Sequence, residues 1–226
     1  MIELTPQEAR VLGVLIEKGF TTPNQYPLSV NSIATGSSQL SNRDPVMQMS
    51  EDEAHDAAEG LRQKQLAVRV DQAGSRVHKY KHIAVETLHC RQAEVAILAE
   101  LLLRGPQTIG ELRGRASRMQ PFESLERVTE MLRALMERSD PLVKLLPAAL
   151  GSRAEKYAQL MSPDARATES QDASDAPPVS APSTPGLSDR VTALEGEVAT
   201  LRTAIQSISQ QLGIPDPTVA KGSESQ

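Results

Sequence analysis

Apolar residues recur along this chain in short helical stretches separated by polar turns. Val11, Leu12, Leu15 and Ile16 fall at core spacing after Thr5-Pro6-Gln7-Glu8, a capping box with proline at the first helical position. These residues predict a first helix, and Gly19 is read as its stop. Ser50 with Glu53 forms a second capping box, and Ala54, Ala57, Ala58 and Leu61 then line one face of a helix that should end near Lys64. The period next changes to two. Leu66, Val68 and Val70 alternate, a turn is expected at Ala73 to Ser75 around Gly74, and a return strand should run from Val77 to Ile83. Helix, strand, wing and strand in that order form the second half of a winged helix.

Between Thr21 and Met49 the pattern becomes polar and irregular, with a short helical candidate at Ser29 to Thr35. Pro23, Pro27 and Pro45 among Asn and Ser residues suggest an ordered loop. Asn42-Arg43-Asp44-Pro45 reads as a turn in which Arg43 can pin the loop by pairing with a carboxylate. A ligand or partner site at Asn42, Arg43 and Asp44 is the alternative.

A shift of 86 residues places Val11, Leu12, Leu15, Ile16 and Gly19 on Ile97, Leu98, Leu101, Leu102 and Gly105. Thr108 with Glu111 then caps a short helix, Leu125, Val128, Leu132 and Leu135 mark another, and Lys144 to Leu146 and Lys156 to Leu160 flank a turn at Gly151. The third helices align at an offset of about 71 residues, so roughly fifteen extra residues are expected in the first copy, all in the 21–49 loop. The expected fold is mainly α with small β-hairpins: winged helix 1 over 1–84, with its extended loop, and winged helix 2 over 85–161. A single irregular helical bundle is the competing arrangement.

Residues 162–186 are rich in Pro, Ser, Asp and Ala, a composition that cannot bury enough apolar surface to order itself. A flexible linker of this length spans roughly 25 to 30 Å. Leu187, Val191, Leu194, Val198, Leu201, Ile205, Ile208 and Leu212 then follow a four-three alternation, giving an expected coiled-coil helix over 187–213 and a loose tail over 214–226. β-Branched residues at a with leucine at d favour a parallel homodimer, and Arg190 and Glu197 at g would face Glu195 and Arg202 at e. The same helix folding back on its own domains is the alternative.

Composition narrows the chemistry. Residues 1–83 carry nine Lys/Arg against ten Asp/Glu, and residues 84–161 eleven against ten, so the predicted folded part is nearly neutral. Strong nonspecific DNA binding would need a surplus of cations. Aromatic residues are 2% of the chain and tryptophan is absent, which removes the stacking platforms of single-strand binders. One cysteine, an N-terminus without a signal-peptide pattern and no long apolar run lead us to expect a cytoplasmic protein with no membrane contact.

The long stretches LTPQEARVLGVLIEKGFTTPNQYPLSVN, SNRDPVM, GSRVHKYKH and AEVAILAELLLRGPQTIGELRGRASRM resemble the uncharacterised YceH-type family of bacterial proteins. The resemblance covers most of residues 1–161, with the terminal heptads a looser match. It implies two winged-helix domains and brings no catalytic or ligand residue with it.

Candidate nucleic-acid contacts are therefore taken from charge alone. On the first wing they are Arg69, Arg76, Lys79 and Lys81, beside His78 and His82; in the second copy they are Arg113, Arg115 and Arg118. A solvated hairpin guarding its edge with cations is the alternative for the wing. Against groove insertion, the third helix of the first copy opens with Glu51, Asp52 and Glu53. The third helix of the second copy mixes charges in a way better suited to a protein contact. His78 and His82 share a strand face but stand roughly 13 Å apart, too far for one zinc ion. Cys90 reads as a small core residue at a helix start. No nucleophile elbow, phosphate loop or zinc-protease motif occurs, so neither enzyme activity nor a cofactor is expected. Two functions remain: a duplex DNA-binding, regulator-like protein, and a protein-interaction adaptor using winged-helix surfaces without DNA binding.

Overall fold

Seven helices and two small antiparallel sheets make up the described part of the chain, residues 2–71, 77–147 and 154–162 of a computed structural model. In order these are α1 (Pro6–Thr21), a 3-10 turn (Pro23–Gln25), β1 (Leu28–Ser29), α2 (Val30–Ser37), α3 (Glu51–Gln63), β2 (Ala67–Val70) and β3 (Lys79–His82). There follow α4 (Ala84–Thr87), α5 (Gln92–Arg104), α6 (Ile109–Ala116), α7 (Leu125–Met136), β4 (Val143–Leu146) and β5 (Lys156–Gln159). All lie in one compact unit spanning Met1–Ser174.

The capping boxes form as the sequence predicts. Thr5, Ser50 and Thr108 each accept from the backbone N–H three residues on, and Glu8, Glu53 and Glu111 reach back to the cap. Gly105 caps α5 at φ 68°, a conformation that favours glycine. Gly19, its counterpart under the 86-residue shift, does not stop α1, which runs two residues further. The end of α1 is instead secured by Thr21 and Thr22, whose hydroxyls donate to the Glu17 and Lys18 carbonyls, and by Pro23, which disfavours helix at the residue before it.

α1 and α5 form the centre. Val11, Leu12, Val14, Leu15 and Ile16 are wholly buried, as are Val95 to Ala99, because each helix is covered on nearly every side. They also pack on each other. A methyl group added at Gly13 would stand 2.8 Å from Leu103 Cγ and 2.9 Å from its Cδ2, so the missing side chain sets their separation. One continuous apolar cluster therefore runs through both copies of the pattern.

The element order repeats, with extra residues in the first copy as expected and a strand, β1, that the sequence did not reveal. α1 and α5 start 86 residues apart, and α3 and α7 start 74 apart, which leaves twelve extra residues in the first copy. They lie on both sides of α2 rather than in one loop. The connection before α2 holds β1, which pairs with β3 to give the order β1-β3-β2, with Leu28 opposite Tyr80 and Ser29 opposite Lys79. In the second copy a single residue does this work: Gln107 exchanges backbone hydrogen bonds with Tyr157 at 3.0 and 2.7 Å. The wing turn at 73–75, the turn at Gly151, Arg76, the 162–186 linker beyond Ser162, the heptad residues and the tail lie outside the described residues.

Candidate functional site

Two candidate groups that are far apart in sequence meet at the seam between α1 and α5. Arg43, from the 38–49 loop, is 5% exposed, and all five of its N–H donors are engaged. Nε donates to the Gly36 carbonyl at 3.0 Å. Nη1 donates to Glu17 Oε1 at 3.2 Å and to the Asn42 carbonyl at 2.7 Å, and Nη2 to Glu17 Oε2 at 2.5 Å and Gln39 Oε1 at 3.0 Å. Arg118, just past the end of α6, reaches the same carboxylate through Nη1. Its Nε and Nη2 donate to Glu100 Oε1 at 3.0 and 2.6 Å. Two buried acids, Glu17 on α1 and Glu100 on α5, are thus bridged by Arg118, and Arg43 completes the pairing of Glu17.

The electrostatics follow from burial and pairing. Desolvation pushes the Glu17 carboxyl up, but hydrogen bonds and charge from Arg43, then Arg118, outweigh it and hold the group below the usual carboxylate range. Burial likewise disfavours the Arg118 cation, and Glu100 and then Glu17 more than compensate, raising its pKa. Burying ions this deeply is costly, and the pairing offsets much of that cost.

The other second-copy arginines are also engaged. Arg115 Nη1 donates to Gln107 Oε1 at 2.7 Å, and Nη2 lies 3.1 Å from Glu111 Oε1. Arg113 Nη2 donates to the Glu123 carbonyl at 3.1 Å. Asn42, at φ 62°, accepts through its side chain from Arg104 Nη2, and the Asp44 N–H donates to the Leu103 carbonyl at 2.9 Å.

On the β2–β3 hairpin, pleating separates the cations. Val68 pairs with Lys81 and Val70 with Lys79, which puts both lysines on one face; Arg69 stands opposite Tyr80 on the other. Arg69 lies 3.4 Å from Asp71, whose other oxygen is 2.7 Å from His78 Nδ1. Tyr80 is wholly buried and donates to Glu59 Oε1 at 2.8 Å. Burial, then the hydrogen bond and charge of Glu59, push its hydroxyl up to about 12.

Among the described residues no group of three or more His, Cys, Asp or Glu side chains is placed to hold a metal ion. None of their helices is long and apolar enough to cross a membrane. Cys90 is buried beside Arg138 Nη1 at 3.3 Å, and burial raises its thiol pKa.

Glu17, Glu100, Arg104 and Arg10 were not among the sequence candidates. A signal was present for Arg10 and Glu100, which stand between Ala9 and Val11 and between Ala99 and Leu101 in helices built mainly of core positions, where an ion requires a partner. The sequence pattern described as "Protein of unknown function, DUF480" matches residues 4–152. The chain belongs to this family. It is 48% identical over 203 residues to a UPF0502 protein of Geobacter sulfurreducens, with 88% of this chain and 90% of the relative covered. A UPF0502 protein of Pelobacter propionicus is 46% identical over 214 residues (92% and 97% covered). One of Shewanella pealeana is 42% identical over 213 residues (92% and 99%). The DUF480 match includes both acids and all the arginines of the seam.

Proposed function

We propose that this member of the DUF480 family is a tandem winged-helix adaptor that docks a protein partner and does neither base reading nor bond-making chemistry. The winged-helix reading is supported by the repeated order of three helices and a hairpin, and by the matching third-strand contacts of β1 and Gln107. One observation carries the adaptor reading: Arg115 in the last turn of α6 and Arg118 just past its end pair internally with Glu111, Glu17 and Glu100, so they are not free for phosphates. The exposed positions of α3 agree, since Glu51, Asp52, Glu53 and Asp56 would face a nucleic-acid backbone with carboxylates. Leu40 and Val46, 80% and 50% exposed, flank the buried Arg43 anchor and give the loop an ordered apolar surface. The heptads from Leu187 to Leu212 would make the protein a homodimer in the cytoplasm, with two docking units per assembly.

A duplex-binding reading is favoured by Lys79 and Lys81, which share a face and pair with no carboxylate among the described residues. The two readings are separated by titrating a fluorescent duplex with full-length protein across salt. The adaptor reading expects no saturation at micromolar protein. A steep log–log salt slope that Lys79→Glu with Lys81→Glu removes would replace it with the duplex reading.

A further inference from the structure

Beside the seam lies a cleft of about 250 Å³. Its lining comes from both copies: Arg10, Pro45 and Met47 on one side, Leu102, Arg104 and Pro106 on the other, with Asp44 at its edge. That volume is below the roughly 300–1,000 Å³ of pockets for drug-sized ligands, so its occupant is small.

Arg10 is the unusual member. It is 2% exposed, yet it donates to carbonyls: Nη1 to Ser37 at 3.1 Å and Nη2 to Pro45 at 2.6 Å. Among the described residues no carboxylate lies within ion-pairing distance of it, and its buried Nε has no hydrogen-bond partner. Burial, then repulsion by Arg43, push its pKa down to about 10, against a smaller opposing effect of Asp44. A desolvated cation without a counter-ion is costly, and an anion placed beside it is correspondingly stabilised.

Arg104 supplies the second cation. Its Nη2 is held by Asn42 Oδ1, and its Nε lies 3.3 Å from Glu100 Oε2 but is misaligned, so the pair attracts without a hydrogen bond. Burial and the nearby Arg115, Arg118 and Arg43 lower its pKa, while Glu100 raises it. Five arginines therefore crowd this end of the seam. The rim is the Gly105–Pro106 turn, where the glycine at φ 68° places no side chain toward the cleft.

We propose that this cleft binds a small organic monocarboxylate with an apolar body, its carboxylate between Arg10 and Arg104 and its body against Met47, Leu102 and the prolines. The choice of a monoanion rests on the wall charge: two arginines against Asp44 leave one net positive charge, which suits a carboxylate better than a phosphate dianion. The apolar lining selects against a bare inorganic anion. Because the walls come from both copies, an occupant also ties α1 to α5.

The test is calorimetric titration of the full-length protein with benzoate, benzamide and inorganic phosphate. Saturable benzoate binding with a Kd of about 10 mM or tighter is expected, with benzamide and phosphate at least tenfold weaker. Arg104→Gln should weaken benzoate about tenfold. Should that variant unfold, Asp44→Asn at the exposed edge gives an independent reading, because removing the opposing charge should tighten benzoate several-fold. Absence of saturable benzoate binding, equal binding of benzamide, tighter binding of phosphate, or an Asp44→Asn variant that binds no better would each overturn the proposal.

Discussion

Arg43 Nη2 lies 2.5 Å from Glu17 Oε2, and both side chains are withdrawn from water. The pair is made by residues 26 apart in sequence and fixes the 38–49 loop against α1. Removing Arg43 leaves Glu17 with Arg118 as its remaining partner and takes away two of its donors, and Arg43→Ala should cost about 3 kcal/mol in urea unfolding, the low end for a broken buried pair. Replacing both, as Glu17→Leu with Arg43→Met, should recover a large part of that loss, since a well-packed apolar pair of similar volume avoids the desolvation penalty. A double variant no more stable than the single would show that the pair's value lies elsewhere.

Acid sensitivity follows from the same carboxylate. Glu17 has a folded pKa below its ordinary 4.5, so its contribution is fully present above that value and is lost as pH falls through the lower folded value. Urea midpoints measured from pH 6 downward should fall below about pH 4.5 in the wild type. Glu17→Gln should be less stable at neutral pH and show a flatter acid limb.

His82 makes a separate prediction at higher pH. Burial lowers its pKa from 6.5, opposed by Glu86 and assisted by Lys81, and its ring packs near Tyr26 with centroids 6.2 Å apart. The neutral ring is favoured in the fold, so its stabilisation is complete above pH 6.5 and declines as pH drops toward the folded value. An NMR titration should place the His82 midpoint below 6.5, and a midpoint above it would contradict this account of its surroundings.

Gly13→Ala tests the contact between the central helices. The added methyl would meet Leu103 Cγ at 2.8 Å, inside a fully buried site. Overpacking of this kind costs about 1–3 kcal/mol, against a gain of up to about 1 kcal/mol in helix propensity. A net loss of about 1 kcal/mol is expected in the urea midpoint, and pairing the variant with Leu103→Ala should relieve the clash.

Much of the fold was legible because the chain states its helix starts in short-range chemistry. Thr5 with Glu8, Ser50 with Glu53 and Thr108 with Glu111 are local signals, and the core spacing after each is local too. Gly19 misled because a glycine can serve either a cap or packing, and here its open side faces Tyr26 and His82 at 3.5 Å. β1 was missed because two residues after a proline carry no period of their own; their partner, β3, lies 50 residues away. The site was less legible still. Arg118 reads as a surface cation until Glu17 and Glu100 come together, and that meeting depends on the packing of α1 against α5, which no local pattern encodes.

The heptad expectation is tested with intact protein. Leu194→Ser with Leu201→Ser should reduce the sedimentation mass from dimer to monomer at micromolar concentration. An unchanged mass would remove those positions from the dimer interface.

Arg118 joins Glu17 of the first copy to Glu100 of the second, a cross-link rather than a nucleic-acid contact, and Arg118→Gln removes it. The measurement is the urea midpoint of full-length Arg118→Gln beside the wild type. With Glu17 losing one charged donor and Glu100 two in a buried site, a loss of about 2–3 kcal/mol is expected. An unchanged midpoint would contradict it and return Arg118 to the cations available for a partner.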